Sequence, residues 1–285
     1  MDGGRNVESS KLKPIIRTVV ALVLFFIYMF PFFMIVLNSF KDKRDITKLP
    51  LSFGGKKGFT VENYIKAFEK LDFLKVFKNS LIVTGCSVVL IILFSSMCAY
   101  IFVRKAWKIN KFLFLLMMFS MVIPFQVVMI PLISIYGGIF GILNHRTTLI
   151  FMHLGFSVSM AVFMYHGFIR GSIPLALEEA AQIDGAGPFR TFFEIVFPLL
   201  KPTTATLVIL YALSLWNDYL LPSLILTDKK VYTIPVAMAL FQGAYSNQMD
   251  LLLAGLVMSV IPIIILYLIL QKYIIAGVVA GAVKS

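Results

Sequence analysis

Six apolar runs, each about as long as a bilayer is thick, alternate with polar segments along this chain. Residues 18–37 carry no charge, and twenty such residues cross about 30 Å of hydrocarbon as a helix. Runs at 80–103, 112–136, 147–169, 203–227 and 251–270 follow. The third is interrupted by Pro124, Gln126 and Pro131, which a span tolerates where neighbouring helices or a cavity satisfy the freed backbone groups. A seventh run, 231–241, has only eleven residues; it is too short to span and reads as an interfacial or re-entrant piece. The first run lacks the short apolar core and small-residue cleavage site of a secretory leader, so it reads as an uncleaved span. The pattern predicts an all-α membrane protein with six transmembrane helices and both termini on one side. Residues 1–17 form an N-terminal tail, 18–270 the spanning domain, and 271–285 a mildly polar C-terminal tail.

Composition agrees: 59% of residues are hydrophobic and 14% charged, against about 25% charged in soluble domains. The formal charge of +12 comes from cations that flank apolar spans. That placement favours anionic lipid head groups and topology signals over nucleic acid. Lys and Arg are evenly divided between the two sides, so charge alone sets no orientation. Cys86 and Cys98 share one span and point in different directions at about 100° per residue, which argues for apolar filler rather than a disulfide or metal site. His145, His153 and His166 lack metal-ligand spacing, and the Gly-Gly-Lys-Lys-Gly at 54–58 is not a phosphate-binding loop. No cofactor, metal or catalytic constellation is expected.

One segment between spans reads as folded helix. In the loop 170–202, the stretch PLALEEAAQIDGAGPFRTFFEIVFP opens at Pro174, suited to a first helical turn. Glu178, Glu179 and Gln182 fall at i, i+3 and i+4 spacing on one side. Gly185, Ala186 and Gly187 stop the helix, glycine taking the positive φ of a C-terminal cap. Pro188 starts a second arm whose Phe189, Phe192, Phe193, Val196 and Phe197 form an apolar stripe, with Arg190 and Glu194 paired opposite. Pro198 and Pro202 end it. The result is a small two-helix elbow.

Glu179, Ala180, Ala181, Gly185, Ile195 and Pro198 stand where the EAA signature of bacterial ABC-importer membrane subunits has its fixed positions, and the chain resembles that family. The run TLVILYALSLWNDYLLPSLIL, the stretch YTIPVAMALFQG and the ending IIAGVVAGAVKS are similar to its maltose-type, carbohydrate-importing branch. The resemblance implies a permease subunit, not an enzyme, working by alternating access in the bacterial cytoplasmic membrane. It implies cytoplasmic termini and a cytoplasmic coupling-helix elbow. It also implies four kinds of partner: a second, different permease, a cytoplasmic ATPase dimer, an extracytoplasmic sugar-binding protein and the sugar itself. Glu178, Glu179, Ala180, Ala181, Asp184 and Gly185 are the implied ATPase-coupling residues.

Polar groups inside spans are candidate pathway positions. Asp218 is the strongest, with Gln126, Ser214 and Asn217 as hydrogen-bond partners for sugar hydroxyls and Trp216 and Tyr219 as stacking faces. A second reading has Asp218 capping or pairing at the membrane interface and the two aromatics in an interfacial belt. His153 is expected to bond between helices. Two rival functions stay open from the residues: an importer of a non-sugar solute, and a stand-alone secondary transporter. The latter has few intramembrane carboxylates for ion coupling.

Overall fold

The computed structural model describes the backbone of residues 4–243 and 246–282 and the side chains of 15–242, 248–269 and 271. The first three residues, most side chains of the N-terminal tail, residues 283–285 and the side chains of the 274–285 ending lie outside the described residues. The chain divides into two compact units, 1–70 with 240–259 and 71–239 with 260–285.

The first unit opens with helix α1 (Gly4–Ser39). Its span Ile15–Ser39 buries none of its most apolar stretch within the chain. After α1 the chain turns into the short helix α2 (Lys43–Lys48), which Asp42 caps by accepting the Arg44 N–H. That bond and the Lys57 ammonium hold the Asp42 carboxyl below the usual carboxylate pKa. Lys41 is fully buried. Its Nζ donates to Asn38 Oδ1, Leu49 O and Pro50 O at 3.1, 3.1 and 2.9 Å. Loss of water pushes its pKa down while Asp45 opposes the shift. Three acceptors make this burial tolerable, since an ammonium carries three donors. Lys41→Met is expected to leave them unpaired, at about 1–3 kcal/mol, and to open the loop. Faster trypsin cleavage at Lys48 and Lys56 would register it; an unchanged cleavage rate would contradict this role. Helix α3 (Glu62–Leu71) follows, its Asn63 amide donating to Ser39 O and Lys41 O.

The second unit is built on α4 (Phe73–Arg104). Small and hydroxyl residues, Ser80, Thr84, Ser87, Ser95, Ser96 and Ala99, recur along its buried side, where small side chains let membrane helices approach closely. Next come α5 (Lys108–Ser120), α6 (Phe125–Ile133) and a π-wound stretch Ser134–Ile139. Then follows α7 (Arg146–Ser172), which packs along α4. The elbow comprises α8 (Ala176–Ile183), α9 (Pro188–Arg190), a π-wound stretch Thr191–Val196 and α10 (Phe197–Leu199). Helices α11 (Lys201–Trp216), α12 (Leu220–Ile225) and α13 (Ile234–Met238) complete the order up to α14 (Met249–Ala282). One core joins Val88, Ile91 and Ile92 of α4 to Val162, Tyr165 and Ile169 of α7, Phe192 and Val196 of the elbow, and Leu207 of α11. Between the units' helices in sequence, Gln242–Gly243 and Ser246–Asn247 form a two-residue antiparallel ladder.

Among the described residues, four helices are long and apolar enough to cross a membrane alone, and the number rises to six if each of two bent pairs is one span. The expected third span is not one rod: α5 and the α6 stretch meet at 97°, because Pro124 withdraws a donor and forbids α geometry before it. The expected fifth span at 203–227 is also broken. Helix α11 stops at Trp216 and α12 restarts at Leu220, since the Asn217 and Asp218 side chains bond nearby backbone and compete with the helix. Pro198 and Pro202 do not end the second elbow arm as expected. The arm runs to Leu199, turns 74° and continues as α11, with Pro202 in that helix's first turn. The 231–241 run is no span: α13 lies buried through Ile234, Val236, Ala237 and Met238. The C-terminal segment, expected as a tail, is helical through Ala282.

Candidate coupling site

Helix α8 starts at Ala176. Pro174 therefore sits just ahead of the helix, not in its first turn, and its carbonyl accepts the Leu177 N–H. The helix ends in a Schellman motif. Gly185 N–H donates to Gln182 O at 3.0 Å and Ala186 N–H to Ala181 O at 2.9 Å, with Gly185 at φ +80°. The glycine is required here because L-residues resist that φ. A Cβ built on Gly185 would meet nothing within 4 Å.

The two neighbouring glutamates do different things. Glu179, Ala180, Gln182, Asp184 and Gly185 are exposed, as is Ile183 at 86%. Glu178 is 2% exposed and is turned into the chain, away from the side it was expected to share with Glu179 and Gln182. Its carboxylate accepts the Arg104 Nε–H at 2.7 Å and the Tyr100 hydroxyl at 2.8 Å. Arg104 Nη2 also donates to Ile173 O at 2.8 Å. One guanidinium thus ties the last turn of α4 to the end of α7 and to the elbow. Ala181 is buried beside this clamp. Behind α8, Phe192 stacks at a tilt on Tyr100 with centroids 5.2 Å apart. Phe189 and Phe193 stay exposed, so the aromatic stripe is split between core and surface. The Arg190–Glu194 pair forms at 2.8 Å on the exposed side.

Sequence reasoning missed Arg104 and Tyr100. Arg104 stood in a cluster of cations read as a topology signal. The available clue was a cation at the end of one span and a glutamate at the start of the elbow, with nothing in either pattern to pair them.

The six expected pathway residues stand in different surroundings. Gln126, Ser214, Asn217 and Tyr219 are exposed. Trp216 is 5% exposed, meets Phe77 edge-on at 5.8 Å and lines an apolar concavity of about 590 Å³ with Thr84, Val88, Ala212 and Pro262. Asp218 has both oxygens engaged: Oδ2 lies 3.0 Å from His153 Nε2 and Oδ1 accepts the Leu220 N–H. His153 Nδ1 sits 3.5 Å from Ser87 Oγ. The imidazole therefore bridges α4, α7 and the break between α11 and α12. His153→Ala is expected to cost about 1–2 kcal/mol, read as a lowered Tm in detergent. Asp218→Asn, which keeps a hydrogen-bonding oxygen, should cost less; an equal loss would point to the charge itself. A concavity of about 760 Å³ beside α5, α6 and α7 carries Tyr136, Thr147 and the paired hydroxyls of Ser120 and Ser159, and none of the six expected residues lines it.

At the other end of α4, Asn79 donates to Lys230 O and Tyr232 O and accepts from Arg146. Ser80 Oγ accepts the Ile234 N–H. Asn144, at φ +67°, accepts the Thr227 and Asp228 N–H groups. The helix is thus fastened by polar side chains at both ends.

Comparison with known proteins places this architecture. The model of the family described as binding-protein-dependent transport system inner membrane component matches residues 91–279. The chain is 40% identical to the probable starch degradation products transport system permease protein AmyC of Thermoanaerobacterium thermosulfurigenes over 94% of its length and 96% of the relative's. It is also 40% identical to the melibiose/raffinose/stachyose import permease protein MelC of Bacillus subtilis, covering 95% and 96%. A chain of the crystal structure of a bacterial ABC transporter involved in import of the acidic polysaccharide alginate shares the fold, with TM-score 0.75, 24% identity and coverage of 93% and 97%. The chain, with its bent spans and clamped elbow, belongs to the binding-protein-dependent transport system inner membrane component family and is an ABC-transporter permease subunit rather than an enzyme.

Proposed function

We propose that this chain is one of two different permeases in an importer of sugars or oligosaccharides, driven by a cytoplasmic ATPase dimer that docks on the elbow. The single observation that carries the docking is the outward side of α8. It presents Glu179, Gln182, Asp184 and an 86%-exposed Ile183 beside a bare Gly185 backbone. In this reading the elbow, both termini and the Arg104–Lys111 loop are cytoplasmic, and Glu179, Ala180, Asp184 and Gly185 meet the ATPase. Glu178 and Ala181 act from behind, holding the elbow to α4. Helix α4 has 32 residues, about 48 Å at 1.5 Å per residue. Clamped at Arg104 and at Asn79, it carries the elbow's displacement to the segment 226–234. The two end states need differ by only a few kcal/mol for ATP to bias them.

The cargo class is supported by relatives named for starch degradation products and for melibiose, raffinose and stachyose. An extracytoplasmic binding protein delivers it, in keeping with the family description. Gln126, Ser214, Asn217 and Tyr219, exposed in this chain, would face a path completed by the second permease. The test is uptake into proteoliposomes holding both permeases and the ATPase, with binding protein and a panel of sugars and non-sugar solutes. ATP-dependent uptake of a sugar is expected. Uptake driven by an ion gradient without ATP, or of non-sugar solutes alone, would overturn the reading.

A further inference from the structure

The loop after α1 presents its charge unevenly. Between Lys41 and Thr60 the sequence holds six cations and two carboxylates. Lys43, Arg44, Lys48, Lys56 and Lys57 are exposed, whereas Asp45 is buried, accepting the Lys56 N–H at 2.8 Å. Asp42 is half-buried and pairs with Lys57 at 3.0 Å. Among the described residues, no carboxylate pairs with Lys43, Arg44, Lys48 or Lys56. The loop also exposes apolar surface that a water-facing basic loop would not need. Leu51, Phe53 and Phe59 are 69%, 79% and 51% exposed.

These groups are fixed to the end of a span. Phe40 directly follows α1, and its carbonyl accepts the Thr60 N–H at 2.8 Å. Its ring meets Phe59 edge-on at 6.2 Å, and Phe59 meets Phe53 in the same way at 5.0 Å. The five residues 54–58, with Lys56 and Lys57, are therefore looped out between two touching rings. The span Ile15–Ser39 has 25 residues, about 37 Å of helix against about 30 Å of hydrocarbon. The excess length lets its last turn, with the aromatic chain attached to it, reach the head-group zone.

We propose that this loop is a docking surface for anionic phospholipid in the leaflet at the end of α1, with Leu51, Phe53 and Phe59 entering the head-group zone and the five exposed cations binding phosphates around them. Aromatic rings with flanking cations at a span end match the polarity gradient of that zone. An acidic protein partner would account for the cations but not for exposed apolar rings tethered to the end of a span.

The test uses the full chain with Cys86→Ser, Cys98→Ser and a spin label at Phe53→Cys. It is placed in vesicles of phosphatidylcholine alone or mixed one-to-one with phosphatidylglycerol. The label is expected at head-group depth in the mixed vesicles and in water in the neutral ones. Combining K43Q, R44Q, K48Q, K56Q and K57Q should return it to water, each cation contributing up to about a fivefold preference for the anionic lipid. Raising salt to shorten the screening length from about 10 Å to about 3 Å should weaken that preference. Equal depth in both vesicle types would overturn the proposal, and so would shielding that appears only on adding the binding protein. Native mass spectrometry of the unsubstituted chain from mixed lipid checks it without a variant: selective retention of phosphatidylglycerol supports it, and equal retention of both lipids sinks it.

Discussion

Glu178→Ala is expected to uncouple ATP hydrolysis from sugar uptake and to destabilise the chain by about 3–5 kcal/mol. Glu178 is 2% exposed and its Arg104 partner 14%, so removing the carboxylate strands a guanidinium that water reaches poorly. Tyr100 loses its acceptor at the same time. Without this anchor α8 remains attached only through chain ends and packing, and a push on it is absorbed locally. Glu178→Gln keeps an acceptor for Tyr100 and removes the charge, so it should fall between the wild type and Glu178→Ala. The paired exchange Glu178→Arg with Arg104→Glu would recover part of the stability if the ion pair dominates. Tm in detergent measures the first effect; parallel ATPase and uptake rates in proteoliposomes measure the second. Wild-type Tm and uptake in Glu178→Ala would remove the clamp from the mechanism.

Gly185→Val should also abolish coupled transport, for a different reason. A β-branched residue at φ +80° costs about 1–3 kcal/mol, and the Schellman stop that aims the second arm is lost with it. Asparagine tolerates this conformation much better. Because the space around Gly185 is open in this chain, Gly185→Asn should leave Tm nearly unchanged. Any loss of uptake in that variant then reports on something outside the chain that approaches the bend. Uptake is expected to fall at least tenfold with asparagine and to background with valine, each tenfold corresponding to about 1.4 kcal/mol of coupling. Full transport by Gly185→Val would exclude the bend as a docking point.

The spans were legible in the sequence because about twenty uncharged residues have no other economical explanation. Their breaks were less so. Hydropathy is blind to direction, so 112–136 looks like one crossing although its helices meet at 97°; Pro124 was the visible hint. At 203–227 the break comes from Asn217 and Asp218 bonding to nearby backbone, which the apolar average conceals. Within the elbow, spacing set out Gly185 and the aromatic stripe. It could not tell Glu178 from Glu179, adjacent residues whose fates depend on Arg104, 74 positions earlier. Long-range pairing of this kind has no local signature. The same holds for Trp216, whose polarity suggested an interface or a pathway and whose ring packs on Phe77.

The wide π turn at Thr191–Val196 has a consequence for how this arm tolerates indels. A π turn accommodates one residue more than an α turn would. Excising a single residue there would let the arm rewind as plain α-helix with its flanking turns nearly in phase, whereas the same excision inside α11 would rotate everything before it by about 100° relative to the rest of that helix. After an excision in α11, Phe192 and Val196 could no longer both reach the interior, and α8 would be re-aimed while keeping its own sequence. A one-codon deletion in this turn should therefore be less harmful than one in α11.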